Sequence, residues 1–111
     1  CNLFICHTPG PGGNYAVHRA HDLYQHNVAF FHTHNLGIAY SGNAAGTIHV
    51  SANFGWLGGT KWVDYTTNIE KLRQYVHGVG IGYMNEQGDV HLQAVPFVKG
   101  KCVIEGKEIQ L

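Results

Sequence analysis

The sequence predicts an α+β domain, with mostly antiparallel strands layered against short helices. Two observations carry that prediction. Apolar runs are short and cut apart by turn residues, with fifteen glycines over 111 residues, as strands joined by tight connections require. The pieces read strand, helix, strand, strand, helix, strand, strand, strand, which is neither a steady βαβ alternation nor an all-β series. A chain of 111 residues with no linker, repeat or low-complexity stretch is one domain, covering residues 1–111, and is large enough to bury a core.

Each element has its own signal. Leu3, Phe4 and Ile5 form an apolar run that "HTPGPGGN" stops, because glycine and proline break regular structure. From Tyr15 to His26, Tyr15, Ala16, Ala20, Leu23 and Tyr24 recur at helical spacing, with Asn14 as the expected N-cap. "VAFFHTHNLGIAYSG" is aromatic and β-branched, and "GTIHVSANFGW" follows a "GNAAG" turn, so a hairpin is expected. "TTNIEKLRQYV" opens on Thr and Asn and sets Ile69, Leu72 and Val76 on one face, the pattern of a second helix. "GVGIGYMN", "DVHLQAVPF" and "KCVIEGKEIQL" are three further strands, separated by "EQG" and "KG".

Composition excludes some partners. Seven Lys and Arg balance seven Asp and Glu, so the chain has no surplus charge with which to hold nucleic-acid phosphates or an anionic membrane. Charged residues make up 13% of the chain, about half the usual share, which suggests a surface partly covered by another domain or subunit. No apolar run is long enough to span a bilayer and no signal peptide is visible. Three cysteines do not form a closed disulfide scaffold. A Cys6–Cys102 bridge is conceivable, but reduced thiols and a cytoplasmic setting are the simpler expectation.

The residues that carry chemistry are few. Cys1 opens the chain, so its thiol and an α-amino group belong to one residue; an arbitrary cut in a longer chain or a lipoprotein start would explain it equally. An amine titrating near ~8 can take the proton of a thiol titrating near ~8.5. His18, His21 and His26 fall along the first helix, and His32 and His34 share one face of the next strand. Two such histidines on facing elements hold zinc only when three or four donors converge; no H-E-x-x-H or C-x-x-C phrase supports such a site, so no metal site is expected and they read as surface or hydrogen-bonded histidines. Trp56 and Trp62 flank "LGGTK" and suit either a sugar or base platform or, more simply, hairpin packing. "GNAAG" and "GVGIG" lack the following helix that a phosphate loop needs.

In order along the whole chain, these pieces resemble the N-terminal glutaminase domain of class II glutamine amidotransferases. The phrases that carry the likeness are "CNLF" at 1–4, "YQHN" at 24–27, "NLGIAYSGNAAGTIHV" at 35–50, "KLRQYVHGVGIGYMNEQGDVHLQAVPF" at 71–97 and "CVIEGKEIQL" at 102–111. The resemblance implies a shortened αββα sandwich of the N-terminal-nucleophile hydrolases, with no cofactor. It implies Cys1 as nucleophile, with its own amine as base, attacking the side-chain amide of glutamine or a related amide. Ammonia would pass to an accepting synthase domain or subunit, such as a phosphoribosyltransferase of purine synthesis. Gly106 would supply an oxyanion N–H, a type of donor that contributes about 2.7–4 kcal/mol.

Departures from the pattern weaken that site. Asn2 replaces a glycine. Asn85 stands where the family has the arginine that grips the substrate carboxylate, within the Gly80–Gly88 segment that the resemblance implies as the substrate-side turn, Gly88 included. Glu105 stands where an amide would donate to the oxyanion, and a carboxylate there repels the developing charge. Two alternatives therefore remain open: a non-catalytic structural or regulatory relic of that domain, and a histidine-dependent metalloamidase or metal-binding module. For the last, "FICHTPG" and "HNLGIAYSGN" are similar to phrases of phage-type zinc amidases, whose second ligand cluster has no counterpart here.

Overall fold

A computed structural model of the chain describes residues 2–7, 10, 12–59 and 75–111. The predicted second helix, Cys1 and Trp62 lie outside the described residues, apart from Tyr75 and Val76 at that helix's end, which are not helical. The described elements are β1 (Phe4–Cys6), α1 (Ala16–Tyr24), β2 (Val28–Phe30), β3 (Leu36–Gly42), β4 (Ile48–Phe54), β5 (Gly78–Met84), β6 (Val90–Pro96), β7 (Lys101–Ile104) and β8 (Lys107–Gln110). They make a small α+β domain in which three of the five strand pairs are antiparallel.

The central sheet has the order β1-β2-β4-β3. Its first three strands run parallel, with Phe4 opposite Val28 and Val28 opposite Ser51. Parallel neighbours need a crossover, and α1 supplies the one between β1 and β2. The β3–β4 pair is the expected hairpin, with Gly42 opposite Ile48. Asn43 closes it: its Oδ1 accepts from the N–H groups of Ala45 and Thr47 at 3.0 and 3.1 Å, the local bonding that suits Asn to turns.

The core follows from which faces are apolar. Ala16, Val17 and Ala20 of α1 are buried with Val28 and Phe30 on one side of the sheet. On the other side, Ala29, Val50, Ala52 and Leu92 are buried together, with Leu92 coming from the β5–β6 hairpin. Tyr40 fastens that hairpin to β3 by donating its hydroxyl to the Leu92 carbonyl at 3.0 Å. Gly80 is glycine for a packing reason, because a Cβ there would stand 2.3 Å from a Phe54 ring carbon. Cys6 and Cys102 are both free thiols, and no bridge joins them. Burial, then the hydrogen bond and charge of the Cys6 thiol, push the Tyr24 phenol above its ordinary range. Among the described residues no helix is long and apolar enough to cross a membrane.

Three elements differ from expectation. The helix is capped at Tyr15 rather than Asn14, and ends with Gln25 in the left-handed region. "VAFFHTHNLGIAYSG" is two strands and a tight turn, because His34 takes a positive φ of 58° that no strand accommodates. "KCVIEGKEIQL" is a hairpin rather than one strand. Glu105 and Gly106 both have positive φ, 51° and 76°, the combination that a two-residue hairpin turn requires.

Candidate functional site

The parallel pairing of β1 and β2 decides what meets at their ends. Both strands run the same way with Cys6 opposite Phe30, so the residues following each strand emerge at one edge. These are His7 on one side, and Phe31 and His32 on the other. His32 donates its backbone N–H to the His7 carbonyl at 3.0 Å. Their side chains are hydrogen-bonded to each other, His32 Nδ1 and His7 Nε2 standing 3.2 Å apart, with the rings edge to face at 5.1 Å. A histidine placed after each apolar run is visible in the sequence, but their meeting depends on the register.

The chain then turns. His34 donates its N–H to the Phe31 carbonyl at 3.3 Å, and its own carbonyl accepts from Val76 N–H at 3.0 Å. Its ring stacks on Trp56 at 5.1 Å and 10° and meets the Tyr75 edge at 4.6 Å. Burial, then the charges of His32 and His7, lower the His34 pKa below its ordinary 6.5, so its imidazole is neutral near pH 7. Thus His32 and His34 do not share a strand face, and Trp56 packs against an imidazole instead of standing as an open platform.

Unspent polar capacity gathers at the same edge. Asn53 lies opposite Phe30 at the end of β4 and donates its side-chain amide to Thr33 Oγ1. Asn35 donates its amide to the Gly13 carbonyl at 3.2 Å. Yet Asn53 Oδ1, Asn35 Oδ1 and His34 Nδ1 are all buried without a hydrogen-bond partner, and unpaired buried polar atoms are rare enough that each needs a cause. No three His, Cys, Asp or Glu side chains among the described residues are already assembled to hold a metal ion. His7 and His32 are a two-donor edge with His34 behind it.

The residues expected from the glutaminase pattern fall elsewhere. Asn2 and His7 flank β1 at opposite ends. Asn2 Nδ2 donates to the Gly88 carbonyl at 3.0 Å, and Asn27 Nδ2 donates to the Asn2 carbonyl at 2.8 Å. This places the β5–β6 turn beside the start of the chain. Asn85 is spent inside that turn: its Oδ1 accepts from Asp89 N–H at 2.9 Å and its Nδ2 donates to Asp89 Oδ2 at 2.7 Å. Glu105 accepts a long 3.5 Å bond from the Tyr83 hydroxyl. Gly106 has open space around it, since a Cβ there would meet nothing within 4 Å. The structure therefore brings Asn2, Asn85 and Gly88 together, leaves Gly106 at an exposed hairpin tip, and has Cys1 outside the described residues.

Comparison with family models, with curated proteins and with solved structures gives no match to this chain.

Proposed function

We propose that this chain is a histidine-dependent metal-binding module of hydrolytic type, with the β1–β2 edge as its metal-binding edge. The observation that carries the reading is the 3.2 Å separation of His7 Nε2 and His32 Nδ1. Two nitrogens on one tetrahedral zinc ion, each bonded at about 2.0–2.1 Å, stand about 3.3 Å apart. The hydrogen-bonded pair stands at that spacing, and an ion would take the place of the proton the two nitrogens share. Its position agrees with a general tendency, since open sheets bind ligands beyond the carboxyl ends of their parallel strands. Two imidazoles are one short of the three protein ligands of a catalytic zinc site, so the third would have to come from outside the described pair. An ion held there would supply a water made acidic near neutral pH, able to attack an amide or ester carbonyl or a comparable centre.

The test is titration of the protein with Co²⁺ and Zn²⁺ near pH 7.5, read by visible absorption and calorimetry. The expected result is binding that His7→Ala and His32→Ala each weaken at least tenfold. Affinity unchanged in both variants would remove the reading.

A second reading is kept because of the bond between Asn2 and Gly88. That bond supports an N-terminal-nucleophile arrangement in which Cys1 works beside the Asn85–Gly88 turn on glutamine or a related amide. Ammonia would then go to an accepting synthase domain, within the shortened αββα sandwich that this arrangement implies. Asn85, spent on Asp89, and Glu105 make a weakened glutaminase or a non-catalytic relic the form this reading takes. Incubation with a glutamine-mimicking diazo-ketone decides it by mass: addition at Cys1 supports it, and an unmodified Cys1 removes it. The cytoplasmic setting stays part of the proposal on the reduced cysteines, and the lack of nucleic-acid or membrane partners on the charge balance.

A further inference from the structure

Where the chain leaves β6 it builds a hollow lined mainly by apolar side chains. Lys99 and Gly100 both take positive φ, 52° and 76°, and Val98 pairs across them with Lys101, the geometry of a two-residue hairpin turn. The β7–β8 hairpin that follows is a sheet of its own, not a further strand of β5–β6. It stands off from the rest and leaves a hollow of about 750 Å³, lined from β3, β6 and both strands of the hairpin. Leu92, Val95 and Cys102 are buried members of that lining, whereas Val98 and Val103 are left 62% and 57% exposed.

We infer that this hollow binds a small amphipathic carboxylic acid, an acyl or aryl chain ending in one carboxylate. Its volume lies in the roughly 300–1,000 Å³ range of small-molecule sites, which are apolar with a few placed polar groups. The apolar lining takes the chain, because covering Val98 and Val103 removes from water the apolar surface that the fold leaves there. Charge selects the other end. The lining has two ammonium groups, Lys99 and Lys101, against one carboxylate, Glu108. Lys101 is bound to Glu108 at 3.0 Å, and the Tyr40 hydroxyl is given to the Leu92 carbonyl. Lys99, exposed on the turn, has no ion-pair partner among the described residues. One unpaired cation at the rim of an apolar hollow complements one anionic end on an apolar chain.

The same features argue against other ligands. Among the described residues no histidine and no second carboxylate line the hollow, so a divalent cation lacks donors there. A phosphate would meet point charges, with neither the guanidinium fork nor the helix N-terminus that suits it. His7 and His32 are not part of the lining, so this site does not rest on the metal reading.

The test uses decanoate as probe and decanol as its uncharged counterpart, read by calorimetry and by amide NMR shifts near pH 7.5. Decanoate should bind the unaltered protein and move the amide signals of Val98, Lys99 and Val103; no shift there overturns the inference. Lys99→Gln should weaken decanoate about fivefold, near the most that an exposed ion pair supplies, and leave decanol unchanged. Val98→Thr/Val103→Thr keeps shape and branching at two exposed positions and should weaken both probes at least about tenfold. Decanoate affinity unchanged in Lys99→Gln removes the carboxylate, and affinity unchanged in the folded double variant removes the hollow; either overturns the inference. Shifts at the same amides on diluting the ligand-free protein would assign the hollow to a second copy of the chain, and overturn it as well.

Discussion

Gly55 holds the turn that seats His34, and replacing it with alanine tests that connection. Gly55 has φ of 69°, a left-handed conformation that costs an alanine about 1–2 kcal/mol. The larger obstacle is steric. A Cβ at residue 55 would stand 2.5 Å from the Val76 carbonyl oxygen and 3.3 Å from the Gly78 nitrogen. Both are backbone atoms and cannot swing aside as a side chain would. Their displacement is an overpacking cost of about 1–3 kcal/mol, so Gly55→Ala should lose about 2–5 kcal/mol in all. Gly106→Ala is the matched control, because Gly106 has φ of 76° and nothing within 4 Å of its would-be Cβ. It should lose only the conformational part, about 1–2 kcal/mol. Urea unfolding followed by circular dichroism gives both values. The mutation also has a local readout, since the Gly55 N–H donates to the Asn35 carbonyl and the Val76 N–H to that of His34. Trp56 fluorescence, sensitive to the stacked His34, should shift in Gly55→Ala and not in Gly106→Ala. Equal losses in the two variants would refute the steric argument.

Other consequences can be checked alongside. Phe30 is fully buried in the layer shared with α1, so Phe30→Ala should cost about 3–5 kcal/mol in the same unfolding assay. Asn27 donates to the Asn2 carbonyl and accepts from Val50 N–H at 3.0 Å. Losing both bonds in Asn27→Ala should cost about 1–3 kcal/mol, and hydrogen exchange at Val50 should rise. Since the folded pKa of His34 lies below its ordinary 6.5, the unfolded chain takes up that proton first as pH falls. The stability that neutral His34 contributes is complete above about pH 6.5 and is lost as pH drops through the lower, folded value. The melting temperature of the metal-free protein should therefore fall on acidification from pH 7, and fall less in His34→Gln. An identical pH profile for the two proteins would count against a half-buried neutral imidazole.

What the sequence makes legible is local. The spacing of Ala16, Ala20 and Tyr24 marks α1, and the Asn-containing "GNAAG" turn marks the β3–β4 hairpin, because both signals lie within a few residues of each other. Tertiary contacts hide the rest. The turn at Thr33–His34 has neither glycine nor proline, and a histidine stays at φ of 58° because Trp56 and Tyr75, distant in sequence, hold its ring. "IEGK" carries the signal of a two-residue turn, yet with Glu before the Gly it is weaker than Asn-Gly and reads as continuous strand. Strands of three residues, such as β1 and β2, are too short for alternation to reveal parallel pairing. Hence the histidine pair expected from the sequence is His32 with His34 on one strand, whereas the pair that meets is His7 with His32, set by a register no local pattern encodes.

The geometry of β1 makes the two functional readings separable in a single molecule. Asn2, beside the Gly88 turn, and His7, on the histidine edge, are five residues apart along an extended segment, a span of about 16 Å at roughly 3.3 Å per residue. Two groups that far apart, at opposite ends of one strand, do not share a substrate or a first coordination shell. A substitution at one end should therefore leave the other unchanged, as distant sites in a folded domain usually behave. Asn2→Ala removes the 3.0 Å bond to Gly88 and should lower any diazo-ketone labelling of Cys1, while Zn²⁺ affinity of the His7–His32 edge stays within twofold. His7→Ala should do the reverse. If Asn2→Ala instead weakened metal binding tenfold in a folded protein, the two ends would be one site, and the assignment of the metal to the carboxyl edge of β1 and β2 would fall.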